Sequence, residues 1–310
     1  MELNYGGKRY NGEKLVHHYK DEDNGIYLMP YHADDDLIKA VEVSRLLKRP
    51  LLLRGEPGCG KTRLAEALAF ELYGNSYQEH YFTWSISSTS KAKDGIYIFD
   101  HVGRLRDAHL PNQEPGEESL YKYVRYGPLG EALKASTQKE PSILLIDEID
   151  KADIDFPNDL LDILEWKPGK KINIQETGVD LAIEYPPIVI ITSNDERELP
   201  KPFLRRCIFH YIEFPDDVKL TNIAKAHLEA IDDQADIDLE GLISEFIALR
   251  DEVGKQVVSE KLPSTSELID WLFTNVYYKM NSDHDTEKRE GIAHPGVLLK
   301  TETDYKVNRK

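Results

Sequence analysis

Residues Leu51–Leu68 read LLLRGEPGCGKTRLAEAL. Three successive leucines describe a short strand that is apolar on both faces, as in a sheet covered by helices on either side. Glycines and a proline follow at once, and then the apolar spacing becomes helical and runs to Gly74. Gly55, Gly60, Lys61 and Thr62 match G-x-x-x-x-G-K-[ST] in the strand–loop–helix context that pattern requires. Glycines let the backbone wrap closely around an anion with its N–H groups turned inward, and the following helix adds the positive end of its dipole. The loop Gly55, Glu56, Pro57, Gly58, Cys59, Gly60, Lys61 and Thr62, with Arg63 behind it, is the expected nucleotide-contacting segment. Lys61 is expected to neutralise the β- and γ-phosphates and Thr62 to ligate Mg²⁺ through its hydroxyl. Pro57 limits the loop's freedom, and Cys59 fills a variable position.

Further apolar runs at 80–84 (HYFTW), 142–148 (SILLIDE), 187–194 (PIVIITSN) and 208–214 (IFHYIEF) read as strands covered on both faces, separated by helical stretches. The fold class is therefore α/β, a P-loop parallel sheet. After Pro215 the strand signals stop, and three amphipathic helical stretches predict a second, helical domain. SILLIDE sets Asp147 and Glu148 at the carboxyl end of a strand, the edge where open α/β sheets bind ligands. Asp147 suits magnesium, and Glu148 suits the activation of the attacking water. Asp150 and Asp153 read as a solvated helix start. Asp34–Asp36 read as a cap and dipole device for the helix that Pro50 ends.

The chain has 310 residues, a formal net charge of −17 and two cysteines, Cys59 and Cys207. That count excludes a disulfide framework and a four-cysteine zinc site. The acidity opposes binding to nucleic acid or anionic lipid. No apolar run is long enough to span a bilayer, and no secretory signal is visible at the start, so a cytoplasmic location is expected. His17, His18, His101 and His109 show no ligand spacing.

The segments RPLLLRGEPGCGKT, YGPLGEAL, ILLIDEIDKAD, IVIITSN, LPKPFLRRC and PSTSELIDWL resemble, in this order, the MoxR-type branch of the AAA+ ATPases, over about residues 25–300. The resemblance implies a sheet of strand order 5-1-4-3-2 with a helical lid. Its domains would be an irregular strap (1–33), an α/β core (34–214) and a lid with tail (215–310). It also implies an insert at about 94–126 and an extra hairpin at about 171–185. On the same ground Asn194 is the sensor residue that orients the lytic water. Arg206, with Arg205 second, would reach the γ-phosphate of a neighbouring subunit in a homo-oligomer, expected as a hexameric ring. The implied activity is Mg²⁺-dependent ATP hydrolysis that remodels a client protein, which in that branch often carries a von Willebrand factor A domain. Glu267 stands where many relatives place a second sensor arginine, with Lys261 nearby. Arg104, Arg106, Tyr121, Tyr123 and Arg125 in the insert serve either to grip a substrate or to pack a hairpin. Two other readings are a GTP-driven, McrB-like nucleic-acid translocase and a nucleotide-gated signalling module of a bacterial conflict system.

Overall fold

The computed structural model describes residues 8–108, 117–230, 237–255, 262–281, 292–302 and 305. Its centre is a five-stranded sheet built from β1 (Leu51–Gly55), β2 (Tyr81–Ser85), β3 (Ile143–Asp147), β4 (Ile188–Ser193) and β5 (Ile208–Ile212). The strand order is β5-β1-β4-β3-β2. Ile190 stands opposite Leu51, Ile188 opposite Ile143 and Tyr81 opposite Ile143, all in parallel pairs. The same register sets Ser85 opposite Asp147 and Ser193 opposite Arg54, so the carboxyl ends of the strands share one edge.

Leu51–Leu53, Ile143–Ile146, Ile190 and Ile191 are buried, and each such side chain contributes about 1.5–3 kcal/mol by leaving water. Strands of this kind must be connected by helices that cover them. The covers include α1 (Asp35–Leu47), α2 (Lys61–Tyr73), α3 (Pro128–Ala135) and α4 (Phe156–Leu164). Asp34 caps α1 by accepting from the Leu37 N–H at 2.8 Å, and Lys48 closes it in the left-handed region at φ 53°. Trp84 of β2 meets Phe156 of α4 edge-on at 5.5 Å within the main core.

Two expected strands differ in their environment: HYFTW was expected to be covered on both faces, yet Thr83 and Ser85 of β2 are exposed. IFHYIEF was expected to be covered on both faces, yet β5 alternates, with Phe209 54% and Tyr211 49% exposed. β5 and β2 are the two border strands of the sheet, so among the described residues each has one edge with no paired strand.

Residues 97–99 and 124–126 pair antiparallel around a helix at His101–Ala108, and Lys171–Ile174 pairs with Val179–Ala182 as a hairpin. Glu176 in the turn of that hairpin accepts from the Tyr97 hydroxyl at 2.7 Å and from Lys93 Nζ at 3.1 Å. Tyr123 is buried with its hydroxyl donating to Asp107 at 2.9 Å, whereas Arg104, Arg106 and Arg125 are exposed. His109 lies outside the described residues.

The chain divides into two units. Of the described residues, those within 8–11, 33–54 and 62–211 form the α/β unit, and those within 12–32, 55–61 and 212–305 form the other. Within the stretch read as a strap, residues 8–11 group with the α/β unit and 12–32 with the other. Tyr10 and Asn11 donate their backbone N–H groups to Glu42 and Glu71 of the α/β unit. The short antiparallel pair Tyr19–Asp21 and Ile26–Leu28 groups with the helices, where the Tyr27 hydroxyl donates to the Ala230 carbonyl at 3.3 Å. The second unit is dominated by α5 (Asp217–Glu229), α6 (Leu239–Gly254) and α7 (Thr265–Asn281), packed around Leu220, Phe246, Leu268 and Trp271. Asp216 and Asp238 cap α5 and α6. Leu298 and Leu299 join this core near the end of the chain.

Candidate active site

The loop after β1 has the backbone its glycines permit. Gly58 and Gly60 lie at φ 77° and 90°, in the region where a side chain is strained. Gly58 also lacks room, because a Cβ there would come within 2.4 Å of Ser264 Oγ. Lys61 is only 6% exposed, and its ammonium is satisfied by the loop itself, donating to the carbonyls of Gly55 at 2.8 Å and Glu56 at 2.9 Å. Cys59 Sγ adds a weak contact at 3.9 Å, and among the described residues nothing stronger than the two neutral carbonyls holds this buried cation, which suits a site built for a more strongly charged acceptor. Cys59 is half-buried in this loop. Burial raises its thiol above the ordinary range and the Lys61 charge pulls it partly back, so the thiolate a redox role needs is disfavoured.

Thr62, the next residue along α2, points its hydroxyl at the other carboxyl ends of the sheet. It donates to Asp147 Oδ1 at 3.0 Å, and Thr192 of β4 donates to the same oxygen at 2.6 Å. Thr192 Oγ1 also accepts the Glu148 N–H at 2.8 Å, so one hydroxyl fixes both neighbouring carboxylate residues. Glu148 lies in the left-handed region at φ 59° and ψ 53°, a conformation that costs a non-glycine residue about 1–2 kcal/mol. Its carboxylate is held from two sides, by Asn194 Nδ2 at 3.1 Å and Lys151 Nζ at 2.5 Å.

Asp150 corrects the sequence reading. It is not a solvated helix start: it is 2% exposed, and its Oδ2 accepts the N–H groups of Asn194 at 3.1 Å and Glu196 at 2.9 Å. It therefore anchors the turn that presents Asn194. Asp153 is exposed, as expected of a helix approach. Arg54 pairs with Asp195 at 2.9 Å on the same turn, where Asp195 also has positive φ.

Other expected residues are placed as follows. Arg63 pairs with Glu66 at 3.3 Å. Arg205 and Arg206 are both exposed, between the short helix Lys201–Leu204 and β5. Glu267 accepts from the Ser264 N–H at 2.8 Å and hydroxyl at 3.0 Å, while its own N–H reaches back to Ser264 Oγ at 3.5 Å. That is the reciprocal capping of a helix start, which uses the carboxylate locally. Lys261 lies outside the described residues. Among the described residues no group of three His, Cys, Asp or Glu side chains forms a metal cluster, and no helix is long and apolar enough to cross a membrane. A hydroxyl and one carboxylate are the sparse donor set Mg²⁺ accepts, since that ion keeps most of its waters. Thr192 was not singled out in the sequence, and Asp150 was read there as solvent-facing. The spacing D-E-I-D was the one available signal for Asp150.

A parallel sheet of this order, with a glycine loop entering a helix and Asp-Glu at the end of the third strand, defines a P-loop nucleotide-binding domain. Residues 51–216 match the family model described as "ATPase family associated with various cellular activities (AAA)". The chain belongs to that family of ATPases. The ClpB chaperone protein of Prochlorococcus marinus is 30% identical over 148 residues, which is 46% of this chain and 14% of the relative. The Clp protease ATP-binding subunit ClpL of Lactococcus lactis is 26% identical over 194 residues, 59% of this chain and 22% of the relative. The Bacillus subtilis negative regulator of genetic competence ClpC/MecB is 29% identical over 150 residues, 47% of this chain and 15% of the relative. The chain thus spans less than a quarter of the length of these relatives.

Proposed function

We propose that the chain is a Mg²⁺-dependent ATP hydrolase of the MoxR-type branch, working as a ring, with six subunits expected, and converting hydrolysis into the remodelling of a partner protein. The observation that carries the chemistry is the shared hold on Asp147 and Glu148: Thr62 and Thr192 meet on one oxygen of Asp147, and Asn194 reaches Glu148. Mg²⁺, when bound, neutralises charge on the phosphates. Thr62 and Asp147 are the residues that would hold it. Lys61 exchanges its two loop carbonyls for phosphate oxygens, a charge-assisted bond for neutral ones. Glu148 takes the proton of the attacking water, and Asn194 keeps the carboxylate aimed while Lys151 is free to release it. Arg206, with Arg205 second, is assigned to the neighbouring subunit's nucleotide, where such an arginine contributes about 10³–10⁵ in kcat.

The Clp relatives support work on proteins only through their names, which describe chaperones and protease subunits. The MoxR-type motifs point further, to a partner bearing a von Willebrand factor A domain. The net charge of −17 weighs against a nucleic-acid track. The deciding experiment compares wild type with Glu148→Gln in ATP and in GTP across protein concentration. The expected outcome is ATP turnover per subunit that rises with concentration, and a variant that binds Mg·ATP without turning it over. Undiminished turnover by Glu148→Gln removes the role assigned to Glu148, and a preference for GTP removes the assigned substrate.

A further inference from the structure

Glu56 is a carboxylate inside a loop built to receive phosphates, where an unbalanced negative charge opposes binding. The chain balances it. Glu56 Oε2 accepts from Arg250 Nη2 of α6 at 2.6 Å. Arg250 is 11% exposed on its side chain against 37% for Glu56, so the cation is the more deeply seated partner. Its guanidinium is fixed from two further directions. Nη1 donates to the Pro263 carbonyl, and the Phe214 ring lies against it at 3.6 Å to the centroid. A second tie lies two residues along the loop, where Ser266 Oγ at the start of α7 donates to the Gly58 carbonyl at 3.0 Å. All of these residues belong to the same unit. Glu56 is consequently held twice, through its carbonyl by Lys61 and through its side chain by Arg250.

We propose that Arg250 is a positioning residue for nucleotide binding: it cancels the charge of Glu56 and holds the loop in the shape that receives the phosphates. The proposal rests on the ATP-binding reading above. It differs from a purely structural role in one electrostatic consequence. Removing Arg250 alone strands the Glu56 charge beside the phosphates, whereas removing both charges strands nothing, so the second substitution repairs part of the first.

The test uses the full chain as Arg250→Met, Arg250→Lys, Glu56→Gln and the double variant Glu56→Gln/Arg250→Met. ATP turnover gives KM and kcat, and hydrogen exchange over residues 55–61 is followed without nucleotide. Arg250→Met is expected to raise KM about tenfold with kcat within about twofold. Arg250→Lys, which keeps the charge, is expected to raise KM less than Arg250→Met. The double variant is expected to recover at least about threefold of the KM rise seen in Arg250→Met, with Glu56→Gln measured as the reference for loss of the loop carboxylate alone. Exchange over 55–61 is expected to quicken in Arg250→Met. A wild-type KM in Arg250→Met, or a double variant as impaired as Arg250→Met, overturns the proposal. If Arg250→Met fails to fold, Arg250→Gln takes its place: the same rise in KM is expected, and a wild-type KM in that variant overturns the proposal. Absent turnover by the wild type itself refutes the ATPase reading instead, and unchanged loop exchange in Arg250→Met then refutes the positioning role separately.

Discussion

Asp150→Asn is the sharpest probe of how the Glu148 carboxylate, proposed to activate the attacking water, is held. The substitution keeps the shape of the side chain and removes its charge. Two backbone N–H groups, those of Asn194 and Glu196, converge on Oδ2 at 3.1 and 2.9 Å inside a buried site. A hydrogen bond to a charged group contributes about 1.5–3 kcal/mol against about 0.5–1.5 for a neutral one, so the loss is about 1 kcal/mol per bond and about 2 in total. That corresponds to roughly 30-fold faster exchange of the Asn194 and Glu196 amides if the turn opens locally. The chemistry should suffer as well, because Asn194 Nδ2 is the group that reaches Glu148. Misplacing such a contact by about 1 Å costs on the order of 10²-fold, so kcat is expected to fall 10- to 100-fold with KM nearly unchanged. The assays are amide exchange by mass spectrometry and steady-state ATP turnover on the same preparation. Faster exchange with a wild-type kcat refutes the claim that Asp150 acts on Glu148 through Asn194.

Two predictions concern proton equilibria. His32 is held below its ordinary pKa, first by burial and then by the charges of His17 and Lys219, with Glu229 paired to His17 at 3.5 Å. The unfolded chain therefore binds a proton more readily than the folded one. Stability of the helical unit is unaffected above the ordinary value of about 6.5 and falls as pH drops from there through the lower folded value. Melts at pH 7.5 and pH 5 should show this decline, and His32→Gln should flatten it. An equal decline in the variant assigns the effect elsewhere. For the thiols, burial raises Cys59 and pushes Cys207 up to about 12. Iodoacetamide at pH 7.5 should alkylate both more slowly than a free cysteine peptide, with Cys207 the slower, as peptide mass mapping would read. Labelling of Cys59 at the peptide's rate contradicts its burial.

Much of this was legible in the sequence because it is local. Gly55–Thr62 announces its loop through glycine chemistry and the change from strand to helix. Ile143–Ile146 and Ile188–Ile191 announce interior strands through unbroken apolarity. Asp150 misled because an acidic residue two places after Glu148 has the same local signature whether it faces water or two backbone N–H groups of a turn more than forty residues away. Phe209 and Tyr211 misled in the opposite sense, since an apolar run cannot say whether its strand ends up inside the sheet or at its border. Arg250 looked like one more polar position on an amphipathic helix, and only the fold brings it to Glu56.

The border strand β5 has a consequence for how the molecule behaves in bulk solution. Among the described residues no strand pairs with its outer edge, and two aromatic rings face solvent beside it, a sticky seam of the kind that recruits another chain. A surplus of seventeen negative charges holds identical molecules apart, and that repulsion fades beyond about 8 Å once salt reaches physiological strength. Added electrolyte should therefore draw copies together along this flank, whereas very dilute buffer should keep them solitary.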